Sequence, residues 1–312
     1  FPGAYDALHE NVPEGFELVD ALSPEAYGSL ADCEYLISRL DIDPDIINHT
    51  PNVKFWQRWG AGFDHVDLKA WGERGIPIAT CPGVNSGIVA ELAIMLMLAG
   101  YRNLLQINRQ LRAGHWPRTE YFGRSFMIKG KTVGVLGLGH IGKKVAALAS
   151  AFGANVIYYD IVRQPEQEEQ FGYRFVDFDT LLKESDIFTI HCPLNEETRG
   201  MIGAAQFAKM KPTAMLINTA RGPIVDEAAL VDALTTGKIA TAGLDTYEHE
   251  PLPKDHPLLT LDNVVASAHA GGNTKDNDIN MVNYVYHNIV AFDRGEPLNT
   301  PGDIVNGEYL KK

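Results

Sequence analysis

Residues 131–267 alternate two kinds of segment with a regularity that leaves few architectures open. Short apolar runs at 131–137, 155–160, 186–191, 213–218, 239–244 and 264–267 are separated by helical spacing at 140–151, 178–184, 204–210 and 226–236. Strands that alternate with helices fold as βαβ units around a parallel sheet covered on both faces. The pattern therefore predicts an α/β, doubly wound (Rossmann-type) unit. Strand candidates at 16–19, 35–38, 53–56 and 77–79, again interleaved with helical stretches, predict a second, smaller α/β domain ahead of it. Helical spacing at 276–292 predicts that the tail returns to that domain. The expected division is 1–98, then 99–272, then 273–312. The polar run 164–170 (QPEQEEQ) reads as a solvated loop.

Residues 88–113 read as one long helix whose first half is apolar almost all round, so it must be covered on every side. It is expected to bridge the two domains and to be buried partly against another subunit. Hinges are expected at 99–100 and within 271–277, where the chain passes between domains.

Composition narrows the function classes. Of 312 residues, 45% are hydrophobic and 21% charged, the balance of a globular protein. The formal net charge is −13, which repels phosphate backbones and anionic lipid and argues against nucleic acid or membrane as partner. Cys33, Cys81 and Cys192 lie far apart with no CxxC spacing, so neither a disulfide framework nor a zinc site is expected, and no metal. The longest central apolar run, 92–99, is eight residues, against the roughly 20 a membrane-spanning helix needs. No basic-then-apolar leader opens the chain. A cytoplasmic location is expected.

Gly137-Leu138-Gly139-His140-Ile141-Gly142 is a GxGxxG that ends a strand candidate and opens a helix candidate. The first glycine permits the tight turn, the second lets backbone approach a pyrophosphate, and the third lets helix and strand pack closely. Unpaired N–H groups at the helix start then face the phosphates. Asp160 ends the next strand candidate, 18 residues after Gly142, where a carboxylate can accept from both ribose hydroxyls of NAD. These features together predict NAD(H) as cofactor, with Arg163 as the one nearby residue that could favour a 2′-phosphate instead.

Ligands of open parallel sheets bind beyond the carboxyl ends of the strands. Arg221 follows the 213–218 strand candidate, Glu250 follows 239–244, and His269 follows 264–267. An arginine fork can orient a carboxylate. A histidine can give or take the proton on a carbonyl or alcohol oxygen, and a glutamate on its other nitrogen would fix the tautomer and favour the charged ring. Taken singly, each has a bland reading: a solvated arginine, a turn glutamate, a structural histidine. Their coincidence in one sheet favours catalysis.

With these residues in place, the sequence resembles the D-isomer-specific 2-hydroxyacid dehydrogenase family. The resemblance is carried by Gly60-Ala61-Gly62-Phe63-Asp64-His65-Val66-Asp67, Pro82-Gly83-Val84 with Val89-Ala90-Glu91, the 137–142 glycine loop, His191-Cys192-Pro193-Leu194 with Thr198, Asn218-Thr219-Ala220-Arg221-Gly222, Gly243-Leu244-Asp245 with Glu250-Pro251, and His269. It implies a flavodoxin-like, discontinuous substrate domain and a homodimer formed through 88–113. It implies that Arg221 binds substrate, Glu250 supports the base, and His269 is the acid/base. Backbone N–H groups of Gly60, Ala61 and Gly62 would bind the substrate carboxylate. Cofactor contacts are implied for Gly137, Gly139, His140, Ile141, Gly142, Asp160, Cys192, Pro193, Thr198, Thr219, Ala220, Asp245, Gly271 and Gly272.

Three features depart from the family's pattern. A strand usually precedes the segment matching Phe1-Pro2-Gly3, so the start is expected to be truncated or processed. Trp59 stands where smaller residues are common. Ala268 replaces the frequent proline before His269.

The expected reaction is hydride transfer between nicotinamide and C2 of a D-2-hydroxy or 2-oxo acid, with spacing around Glu250 and His256 similar to glyoxylate/hydroxypyruvate reductases. D-3-phosphoglycerate dehydrogenase remains an alternative. Formate dehydrogenase is disfavoured, because Glu250 stands where those enzymes have glutamine. A different class, an NAD(H)-sensing corepressor-like scaffold, also carries the trio. Phe55, Trp56 and Trp59 either make an apolar substrate pocket or are core, and Arg39 is the candidate contact for a polar substituent.

Overall fold

The computed structural model describes residues 4–21, 23–38 and 45–310, which group into two compact units: 1–85 with 273–312, and 86–272. The Arg39 position lies outside the described residues, as do 1–3 at the chain start.

The first unit is built on a parallel sheet of β1 (Tyr35–Ser38), β2 (Phe55–Arg58) and β3 (Ile78–Ala79), in that order. All four residues of the central strand are buried, as a parallel strand covered on both faces requires. Successive side chains point to opposite faces. Phe55 joins a core with Leu8, Met281, Val282 and Ile289 from the helices Ala4–Glu10 and Lys275–Arg294. Trp56 joins another with Tyr27, Trp71 and Ile78. The return of the tail is thus fixed by apolar contact as well as by Asn306, whose side chain accepts from the Ile78 amide at 2.8 Å and donates to the Ile76 carbonyl at 2.9 Å. Phe55 and Trp56 are core, with the Trp56 indole N–H donating to Ser38 Oγ at 2.9 Å, which removes them from a substrate pocket. Residues 16–19 form no strand; Phe16 and Leu18 pack against the first core from an irregular segment.

The second unit carries seven parallel strands: β4 (Thr132–Leu136), β5 (Asn155–Tyr159), β6 (Arg174–Phe175), β7 (Ile187–Ile190), β8 (Met215–Asn218), β9 (Thr241–Leu244) and β10 (Val264–Ala266). Their order in the sheet is β10-β9-β8-β7-β4-β5-β6. From β4 the chain builds outward through β5 and β6, then returns to β7 on the other side of β4 and builds the opposite way. The switch point therefore lies between β4 and β7. Both faces are covered: Val133, Val135, Ile187 and Ile217 face one core, and Leu136, Phe188, Leu216 and Leu244 the other.

Three expectations change here. The 88–113 segment is two helices, Ser86–Tyr101 and Leu104–Arg112, bent by 63° at a break where Asn103 takes φ 51°. Ala90, Ala93, Leu96 and Met97 of the first are buried against the second unit's sheet, so the unit edge falls at 85/86 rather than 98/99. The second helix buries no residue. The 164–170 run contributes to a helix, Pro165–Phe171, rather than a loop: proline opens it, Glu166 and Glu168 sit in its first turn, and Gly172 ends it at φ 73°. Among the described residues no single helix is long and apolar enough to cross a membrane.

Candidate active site

The glycine loop leaves β4 at the switch point. Gly137 takes φ 90°, and a Cβ there would lie 2.7 Å from the Cys192 amide nitrogen, so the loops after β4 and β7 touch backbone to backbone. At Gly142 a Cβ would overlap the Gly137 carbonyl oxygen at 2.0 Å, which lets the helix His140–Ala151 start directly under the turn. Gly139 is exposed, with nothing within 4 Å of a Cβ position. Its backbone is open to a ligand just where the helix N–H groups emerge. Ile141 is half-buried in the same first turn, beside the exposed His140.

Asp160 follows β5. Its Oδ2 accepts from the Leu138 amide at 2.6 Å and its Oδ1 from the Val162 amide at 3.0 Å, which ties the glycine loop to the end of β5. Each carboxylate oxygen retains a lone pair for a ribose hydroxyl. Arg163 is engaged elsewhere: its guanidinium makes two hydrogen bonds to Glu168, at 2.8 and 2.7 Å, and lies over the Phe175 ring.

Beyond β7, burial pushes the His191 imidazole down to about 3, so the ring is uncharged at neutral pH, and Nε2 pairs with Thr189 Oγ1 at 2.8 Å. Burial also raises the Cys192 thiol to about 11, which keeps it protonated. Thr198 donates to the Pro193 carbonyl at 2.7 Å and accepts from the Asn195 amide at 2.8 Å, closing the loop.

The loops after β8, β9 and β10 carry the predicted trio. Asn218 shapes the first: its side chain accepts from the Ala220 amide at 3.1 Å and donates to the Arg221 carbonyl at 2.9 Å. The Arg221 side chain, half-buried, turns one Nη1–H to the Ala220 carbonyl at 2.8 Å. Thr219 is buried with a hydroxyl that has no hydrogen-bond partner among the described residues. A Cβ on Gly222 would strike the Tyr247 carbonyl at 1.9 Å, so the Arg221 turn rests on the loop that carries Glu250.

Glu250 and His269 form a pair. Glu250 Oε1 accepts from the Tyr247 amide at 2.9 Å, and Oε2 lies 2.7 Å from His269 Nδ1. The carboxylate selects the tautomer with the proton on Nδ1 and leaves Nε2 as the nitrogen that can exchange a proton with a ligand. His269 takes φ 49°, the left-handed region that few non-glycine residues adopt.

Asp245, a predicted cofactor contact, also orders the loop around His269. It is buried, and it accepts from Ser267 Oγ at 2.6 Å and from the Ala270 and Gly271 amides at 2.9 Å each. Gly271 is buried, and Gly272 is exposed. In the first unit, Gly60 takes φ 117° and its carbonyl accepts from the Cys81 amide at 2.8 Å, while the Gly62 carbonyl accepts from Arg58 Nε at 3.3 Å. Ala61 between them is exposed.

Comparison with known proteins points to one family. Residues 94–271 match the family model for the NAD binding domain of D-isomer specific 2-hydroxyacid dehydrogenases. A glyoxylate reductase of Korarchaeum cryptofilum is 39% identical over 284 residues, covering 90% of this chain and 85% of that protein. A D-3-phosphoglycerate dehydrogenase of Archaeoglobus fulgidus is 43% identical over 84% of this chain, which spans about half of that protein's length (49%). The crystal structure of NAD-dependent formate dehydrogenase from Staphylococcus aureus in complex with NAD superposes with a TM-score of 0.84 at 30% identity, covering 97% of this chain and 92% of that one.

Proposed function

The chain belongs to the D-isomer specific 2-hydroxyacid dehydrogenase family, and from that premise we propose that it reduces a small 2-oxo acid of the glyoxylate or hydroxypyruvate type through Arg221, Glu250 and His269. Its reaction class is NAD-dependent interconversion of 2-hydroxy and 2-oxo acids. The observation that carries the proposal is the 2.7 Å pairing of His269 Nδ1 with Glu250 Oε2 at the carboxyl edge of a nucleotide-binding sheet.

NAD(H) fits the residues present: an open backbone at Gly139, a helix N-terminus beside it, and Asp160 at the end of β5. When bound it supplies the hydride or takes it. Asp160 accepts the ribose hydroxyls, and the loops of Cys192–Pro193–Thr198 and Thr219–Ala220 border the same edge. Arg221 binds and orients the substrate carboxylate. His269 Nε2 gives its proton to the 2-oxo oxygen in reduction and recovers it in oxidation. Glu250 holds the ring's orientation and stabilises its positive charge.

The finer substrate assignment is supported by extent of similarity. The chain spans 85% of the Korarchaeum glyoxylate reductase, against about half of the phosphoglycerate dehydrogenase relative. We also assign a homodimer in the cytoplasm. Leu104, Leu105, Leu111, Trp116, Phe122 and Met127 form an exposed apolar stretch within 104–127, and the three cysteines are free.

NADH oxidation with glyoxylate, hydroxypyruvate, pyruvate, phenylpyruvate and 3-phosphohydroxypyruvate tests the proposal. Fastest turnover with glyoxylate or hydroxypyruvate supports it. Preference for the phosphorylated acid moves the assignment to phosphoglycerate oxidation, and tight NADH binding without turnover moves it to a sensor.

A further inference from the structure

A second glutamate–histidine pair stands behind the first. Glu227 opens the helix Glu227–Thr235, and its Oε1 lies 3.1 Å from His256 Nε2. Both side chains are largely withdrawn from solvent, at 13% and 19% exposure. The Leu258 amide donates to His256 Nδ1 at 3.3 Å, so the ring proton sits on Nε2 and points at the glutamate. The other oxygen, Glu227 Oε2, accepts from the Glu248 amide at 3.2 Å.

One carboxylate thus grips the chain at 248 and at 256, the two ends of the segment that carries Glu250. The near end is fixed from a second side by Gly222, where a Cβ would lie 2.5 Å from the Glu248 nitrogen. Tyr247, next in line, donates its amide to Glu250 and its hydroxyl to the Ser267 carbonyl at 2.8 Å, joining the segment to the strand end that leads to His269. Glu250 itself is an exposed side chain on an irregular stretch with no helix or strand to hold it. Its position depends on whatever anchors the two ends.

We propose that Glu227 and His256 are positioning residues for Glu250, a bracket that sets the distance between its carboxylate and His269. The proposal rests on the reading of Glu250 and His269 as the proton-handling pair. Glu227 touches neither ring nor substrate and acts through the segment. Loosening it withdraws the negative charge from the His269 ring, with the same sign of effect as removing that charge, and leaves the Arg221 turn in place.

The test is steady-state reduction of the best 2-oxo acid by NADH in wild type, Glu227→Ala, Glu227→Gln, Glu250→Gln and the Glu227→Ala/Glu250→Gln double variant, with the folding of each checked by circular dichroism. The expected result is kcat down about 10-fold in Glu227→Ala, a fraction of the roughly 10²–10⁴-fold that a general acid–base group contributes, with KM for the 2-oxo acid unchanged. Glu227→Gln, which keeps an oxygen acceptor, loses less. The double variant is no slower than Glu250→Gln alone, because the bracket works only through that carboxylate. A wild-type kcat in folded Glu227→Ala, or losses that multiply in full in the double variant, overturns the bracket. If Glu250→Gln itself leaves kcat unmoved, the reading of the pair fails instead, so the two failures are separable.

Discussion

Asp245 and His269 are joined through their backbones: the Asp245 carbonyl accepts the His269 amide at 2.8 Å. The Asp245 carboxylate then takes the next two amides, Ala270 and Gly271, and the Ser267 hydroxyl. A residue in the left-handed region costs of order 1–3 kcal/mol and persists where its surroundings over-determine it. Here a single buried aspartate does so, with four hydrogen bonds to one turn.

Asp245→Asn should therefore be costly although it is nearly isosteric. The amide has one acceptor oxygen, so an N–H would face an N–H at Ala270 or Gly271. The expected loss is about 1–3 kcal/mol, the penalty for leaving a buried polar group unsatisfied. It should appear as a lower urea midpoint at unchanged slope. Wild-type stability in the variant would show that the carboxylate is not the anchor.

Cofactor preference should turn on Asp160 and on the restraint of Arg163. Asp160→Ser removes an acceptor for the ribose hydroxyls and a charge that repels a 2′-phosphate. The NADPH/NADH ratio of kcat/KM should rise about 10- to 100-fold, the equivalent of 1.5–3 kcal/mol for hydrogen bonds to a charged group. Adding Glu168→Gln releases Arg163 and should raise it again. A ratio that does not move in Asp160→Ser contradicts the assignment.

The Arg163–Glu168 pair also predicts an acid-range stability effect. The Arg163 guanidinium holds the Glu168 carboxyl down to about 2 from its ordinary 4.5, with the Tyr158 hydroxyl adding to it. A lowered carboxyl value stabilises the fold above the ordinary value, and the contribution fades as pH falls toward the lowered one. The Tm gap between wild type and Glu168→Gln should be full above pH 4.5 and should close as pH approaches about 2. A gap that is constant across that window contradicts the pairing.

The exposed apolar stretch should be covered by a second copy. Leu111 and Trp116 are 43% and 78% exposed. Sedimentation at micromolar protein should give a dimer for wild type and a monomer for Leu111→Asp/Trp116→Asp. A monomeric wild type would remove the dimer assignment.

The parallel sheet, the glycine turn, and the positions of Arg221, Glu250 and His269 were legible in the sequence because their signals are local. A β-branched run, a glycine spacing and a residue just past a strand need no knowledge of distant partners. Residues 16–19 carry the same kind of apolar run but form no ladder, since a strand exists only if a neighbour's edge is open to it. The break at Asn103 hides in a continuous helical pattern, because it depends on one residue adopting φ 51°. Residues 164–170 misled through their polarity, though proline before the acids and Gly172 after them were signals of a helix. Asp245 is the instructive case at the site. An acid after a strand suggests a ligand contact, and only the folded turn reveals that it also holds the backbone around His269.

The most direct test of the proposed proton-handling pair is kcat/KM for reduction of the best 2-oxo acid by NADH in wild type, Glu250→Gln, His269→Ala and the double variant. Glu250 Oε2 lies 2.7 Å from His269 Nδ1 and acts through that ring. The predicted result is a loss of about 10²–10⁴-fold in His269→Ala, with the double variant no slower than His269→Ala alone. Losses that multiply in full in the double variant would contradict the assignment of Glu250 and His269 as the proton-handling pair.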